Sequence, residues 1–488
     1  MNSKIRSSYQ LIAMVLVLGI IGLAQQILAG RILTPEFGNS VYTWGSIIGV
    51  FMTALSLGYH FGGKFSQYVN ERILHICVLI VSMSCIIQGF YGTSIVSFFG
   101  AFALAPQYGV LLAVTFLFGP SVFVIGMFSP FAIELSTETK KGKASGKIFT
   151  IDTIGSIIGA FGATFVLIPL ISVSHSFFFL AILGLVVLGF VSRHKLGVLL
   201  TIALVIFLFM LSSTDSYRGD GVYFNQDSTY QNVEVFDSEG VRFLYLDNHP
   251  QSAMFLSDIT EDAFPYSWYF DVPFLFTNIS QALFVGAGGF TGPRDFSSLG
   301  ITVTAVELDP VVVDVGKKFF LVNDTMMNIV VSDGREYLRN TDTKYDVIIL
   351  DAFRKDKIPF HLATQEFYQL VYDSLAEDGV MYTNIIGYVE GRNSDFFRTS
   401  LKTISSVFLN TYAFAVNPEN PLANQNIQII ATKNGPLLSK DELLKLNDER
   451  TMVNVSRLIP SLYENVPLED VIILTDEYAP VDELILVE

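Results

Sequence analysis

The segments QALFVGAGG (281–289), ITVTAVELD (301–309), NIVVSDG (328–334) and KYDVIILD (344–351) decide the fold of the second half of the chain. Each is a short run of β-branched and aliphatic residues ending in glycine or an acid, the composition of a strand buried on both faces. Helical patterns separate them. PVVVDVGKKFFL (310–321) opens with Pro310 at the helix start, where a missing N–H does no harm. GREYLRN (334–340) is a short helix, and TQEFYQLVYDSLAEDG (364–379) is a longer one ending at Gly379. A fifth strand comes next in GVMYTNIIG (379–387), and TYAFAVN (411–417) with NIQIIATK (426–433) reads as a closing hairpin. Strands alternating with helices predict a parallel sheet with right-handed crossovers.

Ligands of such sheets bind beyond the carboxyl ends of the strands, so the strand-end residues carry the information. Gly286, Gly288 and Gly289 close the first strand, where the lack of side chains admits a ligand to the backbone. Glu307 closes the second, 21 residues after Gly286. An acid at about that spacing accepts both hydrogen bonds of a ribose diol. Asp333, with Gly334 next to it, closes the third and can accept from an exocyclic amine of a base. Asp351 closes the fourth, where the reacting group would lie. GAGGFTG is not the dinucleotide fingerprint, because its next glycine, Gly292, comes one residue late. Four strand ends reading Gly-x-Gly, Glu, Asp-Gly and Asp point to a nucleoside ligand. Asp333 and Asp351 also suit a structural role, as caps of the helices downstream of them.

Upstream, residues 222–256 alternate apolar and polar positions in VYFNQDSTYQNVEVFD, VRFLYLD and SAMFLS, with turn residues such as Ser238, Glu239 and Gly240 between. This predicts a half-exposed antiparallel sheet. A mixed helical stretch covers 260–277.

Charge divides the chain in two. Of 488 residues 51% are hydrophobic and 16% charged, and the mean hydropathy is +0.48. Residues 1–212 hold 11 Lys/Arg and 5 Asp/Glu, a balance of +6; residues 213–488 hold 19 and 41, a balance of −22. A purely soluble enzyme is excluded, as is a transporter filling the whole chain. Nucleic acid is an unsuitable partner for the acidic half, which repels phosphate. A cationic substrate suits that field, although most of the charge reads as a solubilising face.

Seven apolar runs in the first half are long enough to span a bilayer: 11–29, 41–59, 73–91, 108–133, 151–172, 175–192 and 195–212. The first lacks a small-residue cleavage site and precedes six more, so it is not a cleavable signal. Gly155, Gly159 and Gly162 recur at helical spacing, for close packing within the bundle or for a homodimer seam. Asp152 and Glu134 lie at span ends, beside Lys140, Lys141, Lys143 and Lys147, as solvated caps. Basic residues collect at Lys4 and Arg6, at Lys64 and Arg72, at those four lysines, and at Arg193 and Lys195. With seven spans these loops share one side, which the positive-inside rule makes cytoplasmic, and the acidic half then faces outward. Cys77 and Cys85, eight residues apart in an apolar run, read as packing residues, and no Cys/His cluster has metal-ligand spacing. No metal is expected.

The expected architecture is therefore a multi-span α-helical membrane domain (1–212), a small antiparallel β domain with a helical connector (213–277), and an α/β domain (278–488). The motifs STYQNVEV (228–235), LYLDN-HPQS (244–252), ALFVGAGGFTG (282–292), VTAVELDPVVVDVGKKFF (303–320), SDGREYL (332–338), YDVIILDAF (345–353) and ATQEFYQLVYDSLAEDG (363–379) resemble the aminopropyltransferase family of spermidine and spermine synthases. The first half agrees with this. Residues 31–67 and 146–172 resemble the second-span and fifth-span regions of bacterial spermidine synthases that carry an N-terminal transmembrane domain.

The resemblance implies a small β domain and, after it, a class I methyltransferase-like Rossmann domain. It implies transfer of the aminopropyl group of decarboxylated S-adenosylmethionine to an amine, releasing methylthioadenosine, with no permanently bound cofactor. By the same resemblance Glu307 holds the ribose, Asp333 with Gly334 holds the adenine, Gln231 faces the reacting chain, and Asp351 receives the attacking amine and its proton. An amine attacks only when neutral, so a carboxylate that accepts its proton fits the chemistry. Location in the inner membrane, with the catalytic half in the cytoplasm where adenosyl donors are made, fits the activity and opposes the charge rule for seven spans.

The chain departs from the family pattern at two places. The Asp of a GGGDGG-like turn, which grips the amine of the aminopropyl tail, is here Gly289. The second Asp of a DSxDP-like loop is here Arg354, in DAFRKDKIP (351–359). Glu261 and Asp262 fall near the family's Asp-Glu before a Tyr, here Tyr266, with about five residues inserted. Arg354 could pair with a carboxylate that the decarboxylated donor lacks. Transfer from intact S-adenosylmethionine (methyl or aminocarboxypropyl) and a non-catalytic nucleoside sensor are the alternatives.

Overall fold

The computed structural model describes residues 2–38, 40–102, 106–136, 138, 140–191, 221–259, 261, 263–352, 359–449 and 454–485. The expected span 195–212 and the site positions Asp262 and Arg354 lie outside the described residues. The chain divides into two compact units, Met1–Ser216 with Asp227–Thr229, and Tyr217–Gln226 with Tyr230–Glu488.

The first unit is helical: α1 (Asn2–Phe37), α2 (Val41–Phe65), α3 (Glu71–Phe102), α4 (Pro106–Leu117), α5 (Gly119–Leu135), α6 (Lys141–Gly162) and α7 (Val173–Val191). Among the described residues five of its helices are long and apolar enough to cross a membrane, and the pair α4–α5, bent by 50°, makes six if it counts as one span. α6 continues through a π turn, Ala163–Leu167, and a last turn, Ile168–Leu170. Gly155 and Gly159 abut α1, where a Cβ on either would run into the carbonyl oxygens of Leu16 and Ile20, whereas Gly162 faces open space. The first two glycines therefore serve packing within the bundle.

A buried polar knot crosses this apolar interior. Gln25 Nε2 donates to Gln88 Oε1 at 2.9 Å and to Cys85 Sγ at 3.0 Å, and Ser121 Oγ donates to Gln25 Oε1 at 3.1 Å. Gln88 Nε2 in turn reaches the Leu117 carbonyl at 3.0 Å, where the α4–α5 bend opens the helical ladder. Cys77 and Cys85 are free and buried.

The second unit holds two sheets. β1 (Val222–Asp227), β2 (Asn232–Ser238), β3 (Val241–Leu246) and β4 (His249–Phe255) form a four-stranded sheet in that order, with β2–β3 and β3–β4 antiparallel. A 3-10 segment, Pro265–Leu275, forms the connector. The second sheet comprises β5 (Gln281–Val285), β6 (Thr302–Glu307), β7 (Asn328–Val331), β8 (Tyr345–Leu350), β9 (Leu375–Gly387), β10 (Asn410–Ala415), β11 (Gln425–Thr432) and β12 (Leu462–Tyr463). Its order is β12-β10-β11-β9-β8-β5-β6-β7. β5, β6, β7, β8 and β9 pair in parallel, and β10, β11 and β12 join antiparallel, with β10–β11 the expected hairpin. This is a Rossmann-like sheet with the strand order of class I methyltransferases, mixed rather than wholly parallel.

Helices cover both faces: α8 (Thr291–Ser298), α9 (Pro310–Phe319), α10 (Gly334–Asn340), α11 (Gln365–Ser374), α12 (Asp395–Ser405), α13 (Lys440–Glu449) and α14 (Val481–Ile485). Period two sorts the core. Leu283, Val285, Ile348 and Leu350 pack with Phe367 and Tyr368 on one face, while Phe284, Val347 and Ile349 pack with Phe270 and Tyr382 on the other. α9 lays Val312 and Val315 against Val233, Val235, Leu244 and Leu246 of the small sheet. The expected helix 364–379 is shorter than its periodicity suggests. α11 stops at Ser374, because Leu375 is buried and already pairs with Tyr345 in the parallel ladder.

Candidate functional site

The parallel strands β5 to β9 bring their carboxyl ends to one edge. Strand β5 leads into the glycine turn. Gly286 takes φ +84°, and a Cβ there would stand 2.5 Å from the Asp351 carbonyl oxygen. A Cβ on Gly289 would stand 2.8 Å from Ser252 Cβ and 3.1 Å from Phe320 Cδ1. Ser252, from β4, also accepts the Gly289 N–H at 2.8 Å, and a Cβ on Gly288 (φ +49°) would meet its Oγ. The sequence alone reads these glycines as openings for a ligand. In the structure the space beside each backbone is filled by protein, which is the first reason for glycine there. No room exists at 289 for the acid that the resemblance implies. Phe290 comes next, with φ +60° and a fully buried ring.

Glu307, at the end of β6, is buried and turned toward this loop. Its Oε2 accepts the N–H of Ala287 at 3.0 Å and of Gly288 at 3.4 Å, and its Oε1 accepts the N–H of Asp309 at 3.1 Å. Burial pushes its pKa up, against these three backbone donors, which pull it down. Oε1, with one donor, retains acceptor capacity for a further one, whereas Oε2 already takes two. Asp309 caps α9 through the Val311 N–H at 3.0 Å and accepts from Gln231 Nε2 at 3.2 Å. Gln231 is thus joined to the end of β6.

Asp333 is a helix cap as well as a strand-end acid. Its Oδ1 accepts the N–H groups of Arg335 at 2.9 Å and Glu336 at 3.0 Å, at the start of α10. Its Oδ2 meets His361 Nε2 at 2.9 Å. Burial raises its pKa, and the bonds from His361 and the two backbone groups outweigh burial and leave it lowered. Gly334 is buried, and a Cβ on it would strike Val285.

Asp351 is placed differently. Asn384 Nδ2 donates to its Oδ1 at 2.9 Å, and the Tyr266 hydroxyl lies 3.5 Å from its Oδ2. Its carboxylate caps no helix among the described residues. Burial pushes its pKa up to about 6, against the bonds from Asn384 and Tyr266, which lower it. A carboxylate with that pKa is charged at neutral pH and is well matched to take a proton. The register explains the partner: Leu350 pairs with Thr383, so Asn384 is the next residue of β9. Behind it, Asn426 Nδ2 and Gln428 Nε2 each donate to Asn384 Oδ1 at 3.0 Å, and the Tyr382 hydroxyl donates to Gln428 Oε1 at 2.5 Å.

Of the acceptor-side expectations, Tyr266 comes to Asp351. Glu261 is exposed, and the side-chain bonds described for Asp351 do not include it. Sequence reasoning missed Asn384, Ser252, Asp309 and His361. The polar pair Thr383-Asn384 inside an otherwise apolar strand was the available signal for the first.

Comparison with known proteins adds a family. Residues 296–439 match the Spermine/spermidine synthase domain. The chain is 29% identical over 240 residues to a probable polyamine aminopropyl transferase of Bifidobacterium longum, covering 43% of this chain and 50% of that protein. It is 23% identical over 430 residues to a polyamine aminopropyltransferase of Oceanobacillus iheyensis, covering 81% of this chain and 80% of that protein. The crystal structure of a probable spermidine synthase from Corynebacterium glutamicum superposes with a TM-score of 0.42 at 20% identity, over 48% of this chain and 87% of that one. The match thus spans about half the length of the Bifidobacterium relative and four-fifths of the Oceanobacillus one. The residues matched by the Spermine/spermidine synthase domain lie within the second unit.

Proposed function

We propose that the protein is a membrane-anchored polyamine aminopropyltransferase that moves an aminopropyl group from decarboxylated S-adenosylmethionine to a small amine. The observation that carries this reading is Asp351, with its raised pKa and its two side-chain donors, at the strand edge that also presents Glu307 and Asp333.

In the proposed step, the acceptor nitrogen attacks the propyl carbon next to the sulfonium. The C–N bond forms as the C–S bond breaks, and that electron pair returns to sulfur, leaving neutral methylthioadenosine. The proton lost by the nitrogen goes to Asp351. Oδ1 is held by Asn384, so Oδ2, with only the long Tyr266 contact, is the oxygen that faces the amine. Glu307 orients the ribose and Asp333 the adenine. Alignment of nitrogen, carbon and sulfur supplies most of the remaining rate gain.

Gly289 favours a second reading. The tail-gripping acid has no space there, so the donor's three-carbon arm is selected less strictly, and intact S-adenosylmethionine is a competing donor. Mass spectrometry of the full-length protein with either donor and a panel of amines separates the two. Methylthioadenosine with the decarboxylated donor supports aminopropyl transfer; S-adenosylhomocysteine indicates methyl transfer; no turnover with any pair overturns both.

We further place the catalytic unit on the cytoplasmic side. The cytoplasmic source of adenosyl donors supports this placement; among the described residues, six spans, counting the bent pair as one, put the basic loops on one side. A reporter fused to the carboxyl terminus that works only outside the cytoplasm overturns this placement.

A further inference from the structure

The segment Leu474–Tyr478, beyond the residues matched by the synthase domain, folds back onto the starts of two helices of the sheet's ligand edge. Thr475 and Tyr478 exchange backbone hydrogen bonds at 3.0 Å, making a tight turn. Inside it, Asp476 takes the guanidinium of Arg335 in a two-pronged pair, Nη1 to Oδ1 at 2.7 Å and Nη2 to Oδ2 at 2.5 Å. Asp476 Oδ1 also accepts from Thr364 Oγ1 at 2.7 Å, the residue that caps α11. Arg335 is only 7% exposed, and Arg–carboxylate forks of this kind fix geometry as well as charge. Arg335 holds the Asp476 carboxyl below its usual range.

Arg335 is in turn one member of a closed ring. Its Nη1 donates to the His361 carbonyl at 3.0 Å, His361 Nε2 meets Asp333 Oδ2 at 2.9 Å, and Asp333 Oδ1 accepts the Arg335 backbone N–H at 2.9 Å. Oδ1 of Asp333 is filled by two N–H groups. Oδ2, with one donor, keeps a lone pair for an exocyclic amine. The direction of that lone pair is set by the ring, and the ring is set by the fork on Arg335.

We propose that Asp476 is a positioning residue of the donor site, and that the carboxyl-terminal turn acts as a clasp aiming Asp333 at the 6-amino group of adenine. This rests on the reading of Asp333 as the adenine acceptor.

The test is base discrimination by the full-length protein, read by calorimetry with methylthioadenosine and its 6-oxo counterpart, methylthioinosine. The 6-oxo group turns the donor into an acceptor, so wild type should prefer the adenosine form by about tenfold or more. Asp476→Asn keeps the size and removes the charge, and Arg335→Lys keeps the charge and removes the fork. Each should bring the preference to within about twofold of unity, by weakening the adenosine form alone. A ratio of affinities does not depend on the fraction of folded protein, so a loss of stability does not imitate the effect. Both variants discriminating as wild type does would overturn the clasp. A wild-type ratio near one would remove Asp333 from base recognition, which is a separate failure and takes the clasp with it.

Discussion

Asn384 Nδ2 donates to Asp351 Oδ1 at 2.9 Å, and two amide donors, Asn426 and Gln428, converge on the Asn384 oxygen at 3.0 Å each. The amide can face Asp351 only with its N–H. Asp351 therefore ionises against burial with one fixed donor in its favour.

Replacing that donor should move the titration. A hydrogen bond to a charged group is worth about 1.5–3 kcal/mol, which is about one to two pKa units. Asn384→Leu should raise the Asp351 pKa from about 6 to above neutrality, because the charged form loses its partner. The acid limb of the rate profile then shifts upward: turnover falls at pH 6–7 and recovers near pH 9. An equal loss at every pH would mean that Asn384 serves the fold alone.

Asp351→Asn should lower turnover by about 10²–10⁴ while leaving donor affinity intact, since the amide cannot take a proton. It should also stabilise the protein. The carboxyl pKa rises from 3.8 to about 6 on folding, so the folded chain binds the proton more tightly and stability falls as pH climbs between those values. The full penalty, on the order of 2–3 kcal/mol, applies above about pH 6 and is absent below about pH 3.8. Thermal melts of both proteins at pH 4 and pH 8 check this, with the Asn variant melting higher only at pH 8. A variant of normal turnover and lowered melting temperature would place the base elsewhere.

Glu307→Ala should lose both binding and stability. A charge-assisted bond from a ribose hydroxyl to Oε1, about 1.5–3 kcal/mol, implies about ten- to hundredfold weaker donor binding. The N–H groups of Ala287, Gly288 and Asp309 lose their acceptor as well, so the melting temperature drops. Unchanged donor affinity by calorimetry would leave Glu307 as a fastener of the glycine turn only.

Gly289→Asp tests whether the family's acid can be put back. Its Cβ would stand 2.8 Å from Ser252 and 3.1 Å from Phe320. Overpacking of this sort costs about 1–3 kcal/mol. The variant should melt lower with no gain in selectivity for the decarboxylated donor; a stable and more selective variant would contradict the packing argument.

The parallel strands were legible because each is a short aliphatic run closed by a residue with a job, and Glu307, Asp333 and Asp351 stand where those runs end. The features that the sequence concealed are mostly long-range. Nothing local in DGREYL indicates that Arg335 is matched with Asp476, or in PFHLA that His361 reaches Asp333. The glycine turn misled in a different way: the residues that crowd Gly286 and Gly289 are Asp351, Ser252 and Phe320, all distant in the chain. The helix over 364–379 was overextended because its amphipathic period runs on into residues that pair in β9.

The Arg335–Asp476 pair joins residues 141 apart in sequence. At about 5–20 residues per second, a ribosome takes roughly 7–28 s to pass from one to the other. Through that interval the helical unit is already made, and the helix that Asp333 caps can form, yet the guanidinium beside it waits without its counter-charge. The corner around Asp333 is therefore finished only once Asp476 has been made, whatever the folding rate of the strands around it.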